Sequence, residues 1–241
     1  MQNDYKLIYI LPNLFTAASA FLGMISIISS FNGNFKAALF YIVLSLLCDG
    51  LDGRVARLTN TTSKFGVEFD SLADLVAFGV APAILFYFSI GHNYGKFGSL
   101  IAGIFVVFGA IRLARFNVTT SINEPSIFIG LPIPTAAVVS AMWTYAYISY
   151  DFLRDYSFLF LFLNFFLSLL MVSNIRYPSF KKINLDRANV LKVLILLLLI
   201  FSFLYLYTLE SILILVSSYV LYGIFRAVWA IFSKKINKKI E

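Results

Sequence analysis

Eight stretches of about 20 mainly apolar residues follow one another along the chain, at 12–31, 35–57, 66–90, 97–116, 132–150, 153–173, 189–209 and 211–232. A helix rises 1.5 Å per residue, so about 20 residues cross the ~30 Å hydrocarbon core of a bilayer. The pattern predicts an all-α integral membrane protein, a bundle of about eight transmembrane helices. Residues 4–11 are expected to form a short interfacial helix ahead of Pro12, because proline suits a first helical turn. Composition agrees: 60% of the 241 residues are hydrophobic and 13% charged, against about 25% charged in soluble domains. No extramembrane domain, low-complexity linker or clear repeat breaks the series, so 1–241 reads as a single domain.

Orientation follows from the cations. With the N-terminus in the cytoplasm, Lys6, Arg54, Arg57, Lys64, Arg112, Arg115, Arg176, Lys181, Lys182, Arg187, Lys192, Arg226, Lys234, Lys235, Lys238 and Lys239 fall on one side of the membrane. Only Lys36, Lys96 and Arg154 fall on the other. Sixteen against three is the bias of a cell-membrane protein with basic cytoplasmic loops. It puts both termini inside and assigns the net charge of +7 to topology, not to nucleic acid. The run Lys234–Lys239 reads as an anchor beside anionic lipid headgroups. The opening MQNDYKLIYILPN has neither a basic leader nor a small-residue cleavage site, so no removable signal peptide is expected. One cysteine, Cys48, excludes an intrachain disulfide and reads as a small buried packing residue. Trp143 and Trp229, with 26 Phe and 14 Tyr, suit lipid contact and interfacial anchoring.

Residues 49–74, DGLDGRVARLTNTTSKFGVEFDSLAD, break the apolar pattern. Residues three and four apart are neighbours on a helix, so Asp49, Asp52, Gly53 and Ala56 share one stripe, and Gly66, Asp70 and Asp74 share a stripe on the next helix. Leu58–Phe65, rich in Asn, Thr and Ser, reads as the turn between them. Antiparallel packing would bring four carboxylates into one small volume, where they repel unless cations lie between them.

Charge inside a spanning helix costs several kcal/mol, on a contested scale, and usually marks function. Carboxylate oxygens suit Mg²⁺, Ca²⁺ or Mn²⁺. The only histidine, His92, falls in the opposite-side loop, so zinc is not expected. Metal-dependent catalysis and divalent-cation transport both use such a cluster. Transporters place it at the midplane among broken helices or paired repeats, whereas these acids lie toward one end of their spans. Two divalent ions beside Arg and Lys clamp phosphate oxygens, and a carboxylate at the cluster's edge can take a proton from an attacking alcohol. Gly53 and Gly66 either leave room for a ligand or allow close helix packing.

The pattern D-x2-D-G-x2-A-R-x8-G-x3-D-x3-D is filled at Asp49, Asp52, Gly53, Ala56, Arg57, Gly66, Asp70 and Asp74. It resembles the signature of the CDP-alcohol phosphatidyltransferases. The resemblance implies an intramembrane enzyme, usually a homodimer, that displaces CMP from a CDP-linked lipid with an alcohol. It also implies two divalent ions (Mg²⁺ or Mn²⁺). Asp49, Asp52, Asp70 and Asp74 would hold them, and Asp74 would be the general base. Gly53, Ala56 and Gly66 would line the nucleotide pocket, with Arg57 steadying phosphate or the acids.

EFDSLADLVAFGVAPA (68–83), RLARFN (112–117), GLPIP (130–134) and LPNLFTAASAFLG (11–23) look like the phosphatidylserine synthase branch of that family. L-serine is then the expected acceptor, with glycerol phosphate, inositol phosphate or another alcohol as the alternative. Arg112, Arg115, Asn117 and Thr119 are candidate serine or phosphate contacts, since Arg grips a carboxylate bidentately; either Arg could instead be a snorkelled anchor. Asn13 and Thr16 read equally as phosphate contacts or helix caps. Glu124 reads as a solvated loop charge. The resemblance covers about 11–140, and the last two spans extend beyond the family's usual six.

Overall fold

The computed structural model describes residues 4–59, 61–120, 127–178, 194, 198, 202–203 and 205–237. Most of the expected span 189–209 lies outside them, as do Glu124, Lys238 and Lys239. The described residues form α1 (Asp4–Phe31), α2 (Phe35–Leu58), α3 (Lys64–Asp74), a π-helical segment (Leu75–Val80), α4 (Ala81–Ser89), α5 (Lys96–Thr120), α6 (Ile133–Ser149), α7 (Ser157–Val172) and α8 (Thr208–Asn237). Among them, five stretches are long and apolar enough to cross a membrane: Ile10–Phe31, Lys64–Ser89, Lys96–Thr119, Asp151–Val172 and Thr208–Ala230. Helix α2 falls outside that set because it carries Lys36, Asp49, Asp52, Arg54 and Arg57. Helix α6 has only 17 residues.

Two expectations change, and one short feature is added. The separate helix over 4–11 does not exist; α1 runs through Pro12 as one element. Proline there removes one backbone donor, and the turns on either side continue the helix around it. Cys48 is half-buried, not buried. Among the described residues, a two-stranded antiparallel ladder, β1 (Ile127–Ile129) against β2 (Arg176–Pro178), accompanies the helices. Tyr177 precedes Pro178, which steers it away from helical and into extended backbone.

The chain divides into two compact units, 1–124 with 132–172, and 125–131 with 173–241. In the first, α1 and α2 pack as an antiparallel pair joined through Asn34, whose side chain accepts the Ala37 N–H and caps α2. Small hydroxyls pair the two helices: Ser45 donates to the Ser19 carbonyl (2.6 Å) and Ser26 to the Ala38 carbonyl (2.8 Å). Such residues let backbones approach where lipid removes any hydrophobic drive between helices. Between α6 and α7, Ser140 Oγ donates to Asn164 Oδ1 (2.5 Å), and Asn164 Nδ2 to the Phe160 carbonyl (2.9 Å). Both residues are fully buried, and the amide is satisfied as burial demands.

In the second unit the Gly130 N–H donates to the Ile175 carbonyl (2.8 Å) beside the ladder. Gly130 has φ +77°, open to glycine without steric cost. The Tyr177 ring packs on Tyr219 (5.6 Å between centroids) and over Gly223, where a side chain would collide with it.

Candidate active site

Every residue of the acidic signature lies in the first unit. Helix α3 begins at Ser63, whose Oγ accepts the Gly66 N–H (3.0 Å) and caps the helix. That start fixes the phase of the turns behind it, so Asp70 and Asp74 project from one stripe toward α2. One carboxylate oxygen from each of Asp49, Asp70 and Asp74 falls within 4.8 Å of the others. Asp74 is 8% exposed. Asp52 is not part of that triad. It is 6% exposed, and its Oδ2 accepts a hydrogen bond from Thr16 Oγ1 (2.7 Å). Thr16 thus ties α1 to the acidic end of α2; its hydroxyl also reaches the Pro12 carbonyl (3.2 Å).

Three carboxylates this close need a positive group or shared protons between them. The donor set is all oxygen, without His or Cys, which fits a hard divalent cation such as Mg²⁺ or Mn²⁺ and not zinc. Asp52 is near enough to act electrostatically on Asp49 and Asp70, so a fourth carboxylate borders the triad. The Arg112 guanidinium acts on both Asp49 and Asp74. It is 6% exposed and lies 5.0 Å from the Phe116 ring centroid, a cation–π contact.

A cavity of about 160 Å³ adjoins the acids. The signature residues Gly53, Ala56, Arg57 and Gly66 line it together with Asn13 and Thr16, and Asp52 and Asp70 stand in its wall. Asp70 therefore faces both the triad and the cavity. A Cβ on Gly53 would meet nothing closer than the Arg57 guanidinium, 3.9 Å away, so a larger residue there would fill free space. At Gly66 a Cβ would sit 3.2 Å from Ser63 Oγ and 3.5 Å from Asn13 Oδ1, crowding the cap itself.

The same cavity is also lined by Thr61, Thr62 and Ser63, which the sequence pattern marks only as a turn. Thr59 and Thr61 pair their hydroxyls at 2.7 Å. The one sequence signal for this role is the density of hydroxyls directly before Gly66.

The other candidates on α5 lie elsewhere. Arg115 donates from Nη1 to the Val172 carbonyl (3.0 Å) and from Nη2 to the Met171 carbonyl (3.1 Å). It caps the C-terminus of α7, where unpaired carbonyls and the helix dipole favour a cation. Asn117 bridges α5 to α3: its Nδ2 donates to Ser71 Oγ (3.0 Å) and Glu68 Oε2 (3.3 Å). Thr119 is exposed and bonds back to the Arg115 carbonyl (2.8 Å). Arg115→Ala is expected to lower stability by roughly 1.5–3 kcal/mol, the range for hydrogen bonds to a charged group, with acceptor KM unchanged. Thermal unfolding in detergent, beside steady-state kinetics, checks both.

Comparison with known proteins places this geometry. A Helicobacter pylori protein named CDP-diacylglycerol–serine O-phosphatidyltransferase is 50% identical over 230 residues, 95% of this chain and 94% of that one. The archaetidylserine synthase of Methanothermobacter thermautotrophicus is 39% identical over 182 residues, 74% of each chain. A Bacillus subtilis protein with the same name as the Helicobacter one is 35% identical over 172 residues, 71% of this chain and 92% of its own. The sequence model of the CDP-alcohol phosphatidyltransferases matches residues 9–171, a stretch that holds the acidic triad, the cavity and Arg112. On that match, over well more than half of its length, the chain belongs to the CDP-alcohol phosphatidyltransferase family.

Proposed function

We propose that the chain transfers a phosphatidyl (or archaetidyl) group from a CDP-linked lipid to L-serine, releasing CMP. The observation that carries this reading is the sharing of Asp70 between the carboxylate triad and the cavity, since it sets a carboxylate cluster suited to cations beside a cavity of about 160 Å³. The relatives named for serine transfer supply the acceptor.

Asp49, Asp52, Asp70 and Asp74 would hold two divalent ions. Bound there, such ions supply charge neutralisation and Lewis acidity at the pyrophosphate oxygens. The rest falls to the protein's own groups. Gly53, Ala56 and Gly66 leave the wall open for the nucleotide, and Arg57 with Asn13 and Thr16 reaches the phosphates. The serine hydroxyl oxygen attacks the lipid-bearing phosphorus and its proton passes to the Asp74 carboxylate. The bond from that phosphorus to the bridging oxygen breaks, and the oxygen leaves with CMP. Arg112 receives the serine carboxylate, which its fork-shaped guanidinium can grip bidentately. Arg115, Asn117 and Thr119 act on the frame around it.

The site faces the cytoplasm of the cell membrane, in a homodimer with about eight spans per chain and both termini inside. The 16-to-3 segregation of Lys and Arg supports that orientation.

Arg112→Lys tests the acceptor assignment, because a lysine keeps the charge and loses the fork. Serine KM is expected to rise at least tenfold, with the KM for CDP-lipid within twofold of wild type. An unchanged serine KM would remove Arg112 from the acceptor site. Glycerol 3-phosphate or inositol phosphate supporting faster CMP release than serine would overturn the acceptor itself.

A further inference from the structure

Directly after Asp74 the helix changes pitch. In the π segment Leu75–Val80 the backbone widens, and the Ala81 N–H bonds to the Val76 carbonyl, five residues back. Pro82 follows. Proline has no N–H, and in a regular α-turn its ring would press on the carbonyl four residues earlier, that of Phe78. The wider turn removes that clash. Single π turns recur at functional sites, and this one begins at the residue after the proposed base.

The widened backbone is held on both sides. On one side Ala77 meets Gly23 of α1: a Cβ at position 23 would stand 2.7 Å from Ala77 Cα and 3.1 Å from Ala77 N. Those are backbone atoms, which do not swing aside as a side-chain tip would. On the other side, two residues along, Gly79 faces Ile133 of α6, whose Cδ1 would lie 3.7 Å from a Gly79 Cβ and 2.6 Å from a Gly109 Cβ of α5. Ala77, Phe78 and Ile133 are wholly buried.

Helix α1 cannot yield freely either. It is tied to α2 through Ser45–Ser19, Ser26–Ala38 and Thr16–Asp52. Thr16 and Gly23 are seven residues apart and share a face, so one face of α1 holds Asp52 and seats the turn behind Asp74.

We infer that Gly23 and Pro82 are positioning residues for Asp74: Pro82 imposes the π turn, and Gly23 is the backbone seat that sets its distance from α1. This rests on the reading of Asp74 as the base. A methyl group at position 23 must push Ala77 away, and the push passes along less than one turn of helix to the Asp74 carboxylate. Most of the cavity's lining on this element, Ser63, Gly66 and Val67, lies farther from Ala77, with only Asp70 within a turn of Asp74.

The test uses full-length protein in nanodiscs, reading kcat, both KM values and Mn²⁺ affinity by electron paramagnetic resonance. Gly23→Ala is expected to lower kcat at least tenfold and weaken Mn²⁺ binding at least threefold, with both KM values within twofold. Gly103→Ala, where an added Cβ meets open space, is the control and keeps wild-type values. Pro82→Ala restores a helical donor and permits the α pitch. It is expected to lower kcat with no loss of thermal stability, a combination that mere destabilisation does not produce. Wild-type kcat and Mn²⁺ affinity in Pro82→Ala and in folded Gly23→Ala would overturn the inference. If Gly23→Ala does not fold, Pro82→Ala decides alone. Full activity in Asp74→Asn would instead overturn the reading beneath it.

Discussion

Replacing Asp74 with asparagine is expected to lower serine-dependent CMP release by roughly 10³–10⁴-fold, toward the upper end of what one general base contributes. The substitution keeps the size of a side chain that is 8% exposed, so packing around it is preserved. It removes the proposed proton acceptor and one of the three carboxylates that converge within 4.8 Å. Because Asp74 does not line the cavity proposed to take the nucleotide, the KM for CDP-lipid should stay within about threefold. Steady-state kinetics over a range of donor concentrations separates the two parameters. More than a tenth of wild-type kcat in Asp74→Asn would show that another group takes the proton.

Asp70→Asn should behave differently, although the two residues stand one turn apart on the same stripe. Asp70 belongs to the triad and also to the cavity wall. Its loss is expected to raise the KM for CDP-lipid and the metal concentration needed for half-maximal rate together. The combined fall in kcat/KM should be at least a hundredfold, about 2.7 kcal/mol of transition-state stabilisation. The discriminating observation is a matrix of rates over donor and Mg²⁺ concentrations. A variant impaired in kcat alone, with both half-saturation points unmoved, would mean that Asp70 is not shared between the two parts of the site.

The parts of this molecule that are legible in its sequence are those that break a uniform background. Asp49, Asp52, Gly53, Ala56, Gly66, Asp70 and Asp74 stand out because a charge or a run of small residues at helical spacing is costly or rare inside an apolar span. Their convergence follows from the short connection between α2 and α3, with both helices packed against α1. The split of the acids into a triad with Asp52 beside it is not legible. It depends on Thr16, 36 residues away, donating to one carboxylate and holding it toward the cavity.

Arg115 looks the same as Arg112 in sequence, since the two stand three residues apart at the end of one span. One reaches the acids and the other caps α7, a difference set by the carbonyls of Met171 and Val172, which no local pattern reports. The π segment is hidden for a related reason. Apolar residues all round a buried helix leave no stripe from which to read its pitch, so Pro82 is the only sign of a change. The β1–β2 ladder pairs residues about 50 positions apart, and a pairing at that distance leaves no mark on either short segment.

The acids around Asp70 are held to run a metal-dependent transfer to serine. The most direct measurement is CMP release by the purified protein given CDP-diacylglycerol, with and without L-serine, in Mg²⁺, in Mn²⁺ and in excess chelator. Release is expected only when serine and a divalent ion are both present, to vanish in chelator and to return on adding back either ion. Metal-dependent release that ignores serine would contradict the acceptor assignment. Release that persists undiminished in chelator would contradict the role given to Asp49, Asp52, Asp70 and Asp74.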